Sequence, residues 1–133
     1  MAGCSIRSLR KDEKESIKTL IASIFPSAIF SIKDSDEIFV YEKDSRIVAF
    51  AHLRRYPRGT VLLGFGVAEN FRAQGIGTEL LSFVVKHAEE RHEPLYLKVK
   101  KENRVALSLY KSFGFKILRS KGDRFVMKRA CFS

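Results

Sequence analysis

The chain predicts an α/β (α+β) domain built on one mixed sheet, and three observations predict it. Short strand-like runs alternate with stretches of helical period in the order β-α-β-β-β-α-β-α-β-β. Three of the strands follow one another with only turn residues between them, which makes an antiparallel meander. A glycine-containing loop then joins the last of these strands to a helix. With 133 residues, no internal repeat and no linker, residues 1–133 are expected to form a single domain.

Each element has its own warrant. Residues 5–9 read as a first strand. Asp12 followed by Glu15 has capping-box spacing. Ile17, Leu20, Ile21, Ile24 and Phe25 then recur on one helical face until Pro26 stops the helix. Residues 27–35 carry no decisive pattern. Strands are expected over 38–42, 46–54 and 60–67, separated by the turns Lys43-Asp44-Ser45 and Tyr56-Pro57-Arg58-Gly59. A second helix presents Ile76, Leu80, Leu81, Val84, Val85 and Ala88 on one side and ends near Glu93, and Pro94 begins a strand that runs to Lys100. Asn103 opens a third helix with Ala106, Leu109, Tyr110 and Phe113 on one face, and Gly114 lies where a left-handed cap is expected. Residues 117–119 and 124–128 can close the sheet as a hairpin around Lys121-Gly122-Asp123.

Composition narrows the classes. Apolar residues make up 45% of the chain and 11 residues are Phe, enough for one core. No apolar stretch approaches the roughly 20 residues that span a bilayer. The start lacks the apolar run of a secretory signal, so no membrane association and an intracellular location, cytoplasmic or nuclear, are expected. Cys4 and Cys131 lie near opposite ends without CxxC spacing, and no His/Cys cluster is present, so free thiols and no metal are expected. The formal charge of +10 is unevenly spread: residues 34–44 hold five acids against Lys43, whereas residues 98–129 hold eleven bases against Glu102 and Asp123. That asymmetry suits a protein holding a polyanion on one side and a cation on the other. It also fits a solvated basic surface, or a nucleic-acid-binding module without catalysis.

The informative segment is Gly64-Phe65-Gly66-Val67-Ala68-Glu69-Asn70-Phe71-Arg72-Ala73-Gln74-Gly75-Ile76-Gly77-Thr78. A strand runs into a loop with two glycines, and a helix begins within the glycine pair. Amides at a helix N-terminus lack intrahelical partners and carry the positive end of the macrodipole, so such a turn attracts anions. No Lys-Ser/Thr follows the glycines, which excludes a P-loop, and the spacing is not GxGxxG.

The segment resembles the GNAT superfamily of N-acetyltransferases, whose signature Arg/Gln-x-x-Gly-x-Gly/Ala stands here as Arg72-Ala73-Gln74-Gly75-Ile76-Gly77. Phe65-Gly66-Val67 at the end of a strand, Asn103 after the strand 95–100, and Ala106-x-x-Leu109-Tyr110-Lys111-x-x-Gly114-Phe115 are similar at matching places. The resemblance covers nearly the whole chain, most closely residues 60–118. It implies the GNAT-like, acyl-CoA N-acyltransferase fold, with the sheet splayed at its fourth strand and helices on its flanks. It also implies acetyl-coenzyme A as cosubstrate and direct transfer to a primary amine. Backbone amides of Arg72, Ala73, Gln74, Gly75, Ile76, Gly77 and Thr78 would hold the pyrophosphate. Main-chain groups of Phe65 and Val67 would pair with the pantetheine arm, with Gly64 and Gly66 at a strand bulge. Asn103 would contact that arm, and Tyr110 would protonate the departing thiolate. Each has a plainer reading alongside: glycines that relieve crowding, Asn103 as a helix cap, and Tyr110 as core.

One departure concerns the base. Histone-type relatives carry a Glu on the fourth strand, where this chain has Val61-Leu62-Leu63. Glu42, His52, Glu69 or a water relay are the alternatives. Asp34, Asp36 and Glu37 fall where such a family builds its acceptor site, and carboxylates there favour a small cationic amine such as a polyamine. A protein lysine or N-terminus is the alternative acceptor, and a homodimer is compatible with the family.

Overall fold

The protein is described from a computed structural model over residues 3–28 and 30–131. Seven strands form one sheet: β1 (Cys4–Ser8), β2 (Glu37–Lys43), β3 (Arg46–Tyr56), β4 (Gly59–Val67), β5 (Leu95–Lys100), β6 (Lys116–Lys121) and β7 (Arg124–Arg129). Their order is β1-β2-β3-β4-β5-β7-β6, and only β4 and β5 run parallel. Three helices flank it: α1 (Lys14–Ile24), α2 (Ile76–Glu90) and α3 (Arg104–Ser112). The mixed, mostly antiparallel sheet expected from the sequence is the sheet observed, with its elements within a few residues of the expected bounds.

The sequence signals act as they should, with one exception. The expected Asp12–Glu15 capping pair gives way to Arg10, whose backbone N–H donates to Glu13 Oε1 at 2.9 Å. Arg7 donates twice to the same Glu13 carboxylate at 2.8 Å, which holds it at the helix start. The β2–β3 hairpin turns on Asp44 and Ser45, both at positive φ (50° and 67°), the conformation that a two-residue turn needs to match strand twist.

Two cores lie on opposite faces of the sheet. On one, the predicted stripe of α2 (Ile76, Leu80, Leu81, Val84, Val85, Ala88) packs on Ala49, Ala51, Leu53, Leu62, Leu95 and Leu97, with Tyr110 and Phe115 behind α3. On the other, Ile17 and Ile21 of α1 pack on Ile38, Val40 and Phe50. Because α1 spans only the β2–β4 side of that face, the β5–β7 half stays bare among the described residues. Register puts Val61, Tyr96, Lys98, Lys128 and Arg119 together there, and β6 is exposed throughout.

Candidate active site

The loop between β4 and α2 forms a cradle for an anion. Ala68 N–H ties the end of β4 to Val48 O at 2.8 Å, a single 3-10 turn (Glu69–Phe71) follows, and Arg72 Nε donates back to Val67 O at 3.0 Å. Ala73 and Gly75 take positive φ (62° and 81°), turning the chain so that α2 can begin at Ile76. Left-handed Ala73 costs about 1–2 kcal/mol of local strain, of the kind that persists where the surroundings require it. No side chain caps α2, and none of the backbone N–H groups of residues 73–78 finds an acceptor among the described residues. Residues 72–75 are exposed while Ile76 is buried, so α2 is anchored and its free amides face outward. A Cβ on Gly75 would meet no atom within 4 Å, so the mouth of the cradle is open. Lys43 and Arg46, each under 6 Å from the Phe71 ring centroid, add positive charge beside it.

Next to the cradle the sheet splits. β4 pairs with β5 only at Thr60–Leu95, Val61–Tyr96 and Leu62–Leu97. Leu63 is then an extra residue in the β3–β4 ladder, since Leu53 faces Leu62 while His52 faces Gly64. This bulge swings the rest of β4 away from β5. Residues 63–67 therefore show β5 an unpaired edge, which includes Phe65 and Val67. Gly64 and Gly66 answer a second need: a Cβ on Gly64 would lie 3.0 Å from Phe50, and one on Gly66 would lie 3.0 Å from Ile24 and 3.1 Å from Phe25. Phe50 and the end of α1 thus press directly on the β4 backbone.

Tyr110 closes the wall behind the split. It is 7% exposed, with its ring 6.2 Å from Phe65 and 5.6 Å from Phe115. Burial pushes its phenol up to about 12. The hydroxyl has no protein partner among the described residues, so it remains a neutral acid with a proton to give. Asn103 Oδ1 accepts from Ala106 N–H at 3.2 Å and caps α3, which leaves its amide NH2 free and exposed. The cap reading therefore holds, and it leaves donors available.

The acidic cluster is arranged otherwise than a cation site needs. Asp36 is enclosed: Arg54 donates to both its oxygens at 2.7 Å, His52 Nε2 lies 2.7 Å away, and Lys33 N–H donates at 2.9 Å. Arg54, foremost, holds the Asp36 carboxyl well below the usual aspartate range, against the opposing effect of burial. Glu37 takes two bonds of 2.6 Å from Arg91 and one contact of 3.3 Å from His87. Asp34 alone of the three is exposed and has no partner among the described residues. Among the proposed bases, Glu42 accepts from Arg7, His52 is bound to Asp36, and Glu69 is exposed in the turn after β4.

Asp36→Ala is expected to cost about 2–3 kcal/mol, because buried His52 loses its acceptor. Thermal unfolding at pH 7 checks this. With its folded value depressed, Asp36 adds stability in full above the ordinary aspartate pKa of about 4. That contribution disappears as pH falls below it. The wild-type advantage over Asp36→Ala should therefore shrink below pH 4, and an advantage that stays constant there would refute it.

Residues absent from the sequence reading line the bare half-face. A cavity of about 470 Å³ opens there over the paired end of β4 and β5, between Tyr56, Arg58, Val61, Tyr96, Lys98 and Arg119 among others. Among the described residues no group of His, Cys, Asp and Glu is placed to hold a metal ion, and no helix is long and apolar enough to cross a membrane.

An anion cradle at a helix start, an open β4 edge and a neutral buried phenol thus lie together at the candidate site. Residues 5–115 match the Acetyltransferase (GNAT) family, and the chain belongs to it. Members of that family use acetyl-coenzyme A as cosubstrate. The chain is 36% identical over 93 residues to an N-alpha-acetyltransferase of Sulfurisphaera tokodaii, a match covering 59% of this chain and 55% of that protein. It spans about half the length of the curated relatives it matches. Its fold is that of the ribosomal-protein-S18-alanine N-acetyltransferase from Escherichia coli, with a TM-score of 0.86, 19% identity, and 98% and 96% of the two chains covered. The PaiA N-acetyltransferase from Thermoplasma acidophilum in complex with coenzyme A gives a TM-score of 0.82 at 18% identity, covering 96% and 98%.

Proposed function

We propose that this protein is an acetyl-coenzyme A-dependent N-acetyltransferase whose acceptor is the α-amine of a protein N-terminus. The observation that carries the reading is the free-amide cradle of residues 73–78 beside the unpaired β4 edge at 63–67. The cradle matches a pyrophosphate, through the amides of Ala73 to Thr78 and the α2 dipole; the expected Arg72 N–H is instead engaged, donating to Glu69 O at 3.3 Å. The edge matches an amide-bearing arm that hydrogen-bonds to Phe65 and Val67 as a neighbouring strand would.

The bound cosubstrate supplies an activated acetyl group; the chain supplies position and protons. The acceptor nitrogen forms a bond to the acetyl carbon as the carbon–sulfur bond breaks. The amine gives its proton to water, the Tyr110 hydroxyl gives one to the departing sulfur, and water returns a proton to the phenolate. A backbone N–H near Val67 would stabilise the oxyanion.

The acceptor follows from what the site lacks. Among the candidate bases, Glu42 and His52 are engaged elsewhere and Glu69 lies exposed in the turn after β4, so among the described residues no base is held in the split. An α-amine, with pKa near 7.7–8.0, is about one-third neutral at pH 7.5, whereas a lysine amine is neutral only about one part in a thousand. The α-amine needs the least help from a base. The Sulfurisphaera relative, an N-alpha-acetyltransferase, agrees with this class. A polyamine acceptor, the expectation from Asp34, Asp36 and Glu37, retains only Asp34 as an unpaired carboxylate. Thiol release from acetyl-coenzyme A is expected with peptides bearing a free N-terminus and not with spermidine. Release with spermidine alone would reverse the assignment, and the absence of coenzyme binding would end the family-level mechanism for this chain.

A further inference from the structure

We infer that the pocket on the bare half-face receives an acidic peptide segment, so that the preferred acceptor is an N-terminus followed by aspartate or glutamate. This rests on the N-acetyltransferase reading above and names the substrate class that the acceptor side selects.

Three observations converge. The first is the lining: Arg58, Lys98, Arg119 and Lys128 border the cavity together with Tyr56 and Tyr96, and no carboxylate is among its lining residues. The second is that none of these four cations has an acidic partner among the described residues. Arg54, Arg55, Arg91 and Arg129 are all paired, with Asp36, Glu93, Glu37 and Glu89. The cavity thus carries four cations and no carboxylate to neutralise them. The third is crowding. Register sets Lys98 beside Val126 and Arg119, and Lys100 beside Arg124 and Lys121. Lys121, foremost, lowers the Lys98 ammonium below the usual lysine range, with burial, Arg124 and Arg119 adding to the effect. Such repulsion is relieved when an anion enters.

Location ties the pocket to the chemistry. Val61 on β4 and Lys98 on β5 flank the last paired residues, so the cavity runs along the paired end of these strands, from the β3–β4 turn to the first unpaired residue of β5, on the α1 side of the sheet. A peptide whose amine enters the split would lay its next residues over Tyr96 and Lys98. Tyr96, beneath Lys128 at 5.5 Å from the ring centroid, gives that backbone an aromatic floor. An electropositive wall also favours the neutral form of the incoming amine, which the reaction requires.

The test uses three peptides that begin with serine followed by three glutamates, three alanines or three lysines. Turnover is measured by thiol release, and binding by the anisotropy of the same labelled peptides in the presence of coenzyme A. The glutamate peptide is expected to exceed the lysine peptide at least tenfold in kcat/KM, through KM, and the gap should narrow as salt shortens electrostatic range. In Lys98→Glu/Arg119→Glu the ranking should invert while the KM for acetyl-coenzyme A and the thermal midpoint stay within error. Lys98→Gln/Arg119→Gln should flatten the ranking if the reversal variant folds poorly. A ranking indifferent to charge, or one that the variants leave unchanged, overturns the inference. Tighter binding of an oligouridylate than of the glutamate peptide at equal salt also overturns it, in favour of nucleic acid. If no peptide turns over, anisotropy still decides: charge-ranked binding lost in the variants upholds the acidic site and sinks only the assigned acceptor.

Discussion

Tyr110→Phe is expected to lower kcat at least tenfold while leaving coenzyme affinity within about twofold. Positioned proton transfer contributes roughly 10²–10⁴-fold to turnover, and the phenol of Tyr110 has no hydrogen-bond partner among the described residues. Phenylalanine keeps the contacts of the ring with Phe65 and Phe115, so the wall behind the split survives the change. The pH profile supplies a second readout. Since burial pushes the phenol up to about 12, the wild-type enzyme should keep its proton donor well past the ordinary tyrosine value of about 10. An alkaline fall in kcat near 10 would point to another donor. Unchanged turnover in Tyr110→Phe across that range would remove Tyr110 from the mechanism and leave it as core.

The second large effect is at Gly75. Gly75→Glu is expected to raise the coenzyme A dissociation constant at least a hundredfold. A carboxylate at the start of α2 would itself take up the free amides, which are the groups a pyrophosphate needs. The space around this position means that the Cβ of the new side chain meets no atom within 4 Å. The left-handed backbone adds strain for any residue other than glycine. Gly75→Asn separates the two causes, because asparagine tolerates that conformation and carries no charge. Isothermal titration with coenzyme A is expected to show partial binding for asparagine and none for glutamate. Full affinity in a folded Gly75→Glu protein would refute the cradle.

The parts of this protein legible in its sequence are those governed by local periodicity. The α2 stripe from Ile76 to Ala88 is buried as the 3.6-residue period requires, and Pro26, Pro94 and Gly114 punctuate the chain where expected. The cradle was legible because a strand, two glycines and a helix start are contiguous. The acidic cluster was not, because its partners are remote: Arg54 lies 18 residues from Asp36, and Arg91 lies 54 from Glu37. A charge reads the same in sequence whether it faces solvent or an arginine. The basic face was hidden for a different reason. Its charges were visible between residues 98 and 129, but one extra residue in a strand moves every later side chain to the other face. Leu63 and Leu118 are such residues.

The three-residue β4–β5 pairing has a practical consequence. A sheet held together at one end and open at the other is an unfinished sheet, and exposed strand edges invite pairing with other chains. In the proposed enzyme the cosubstrate serves as the missing strand, so occupancy and folding are linked. At a hundredfold excess over its dissociation constant the ligand would add about 2.7 kcal/mol to stability. The empty protein should therefore be the form that melts early and clumps in storage, and coenzyme A in the buffer the simplest remedy.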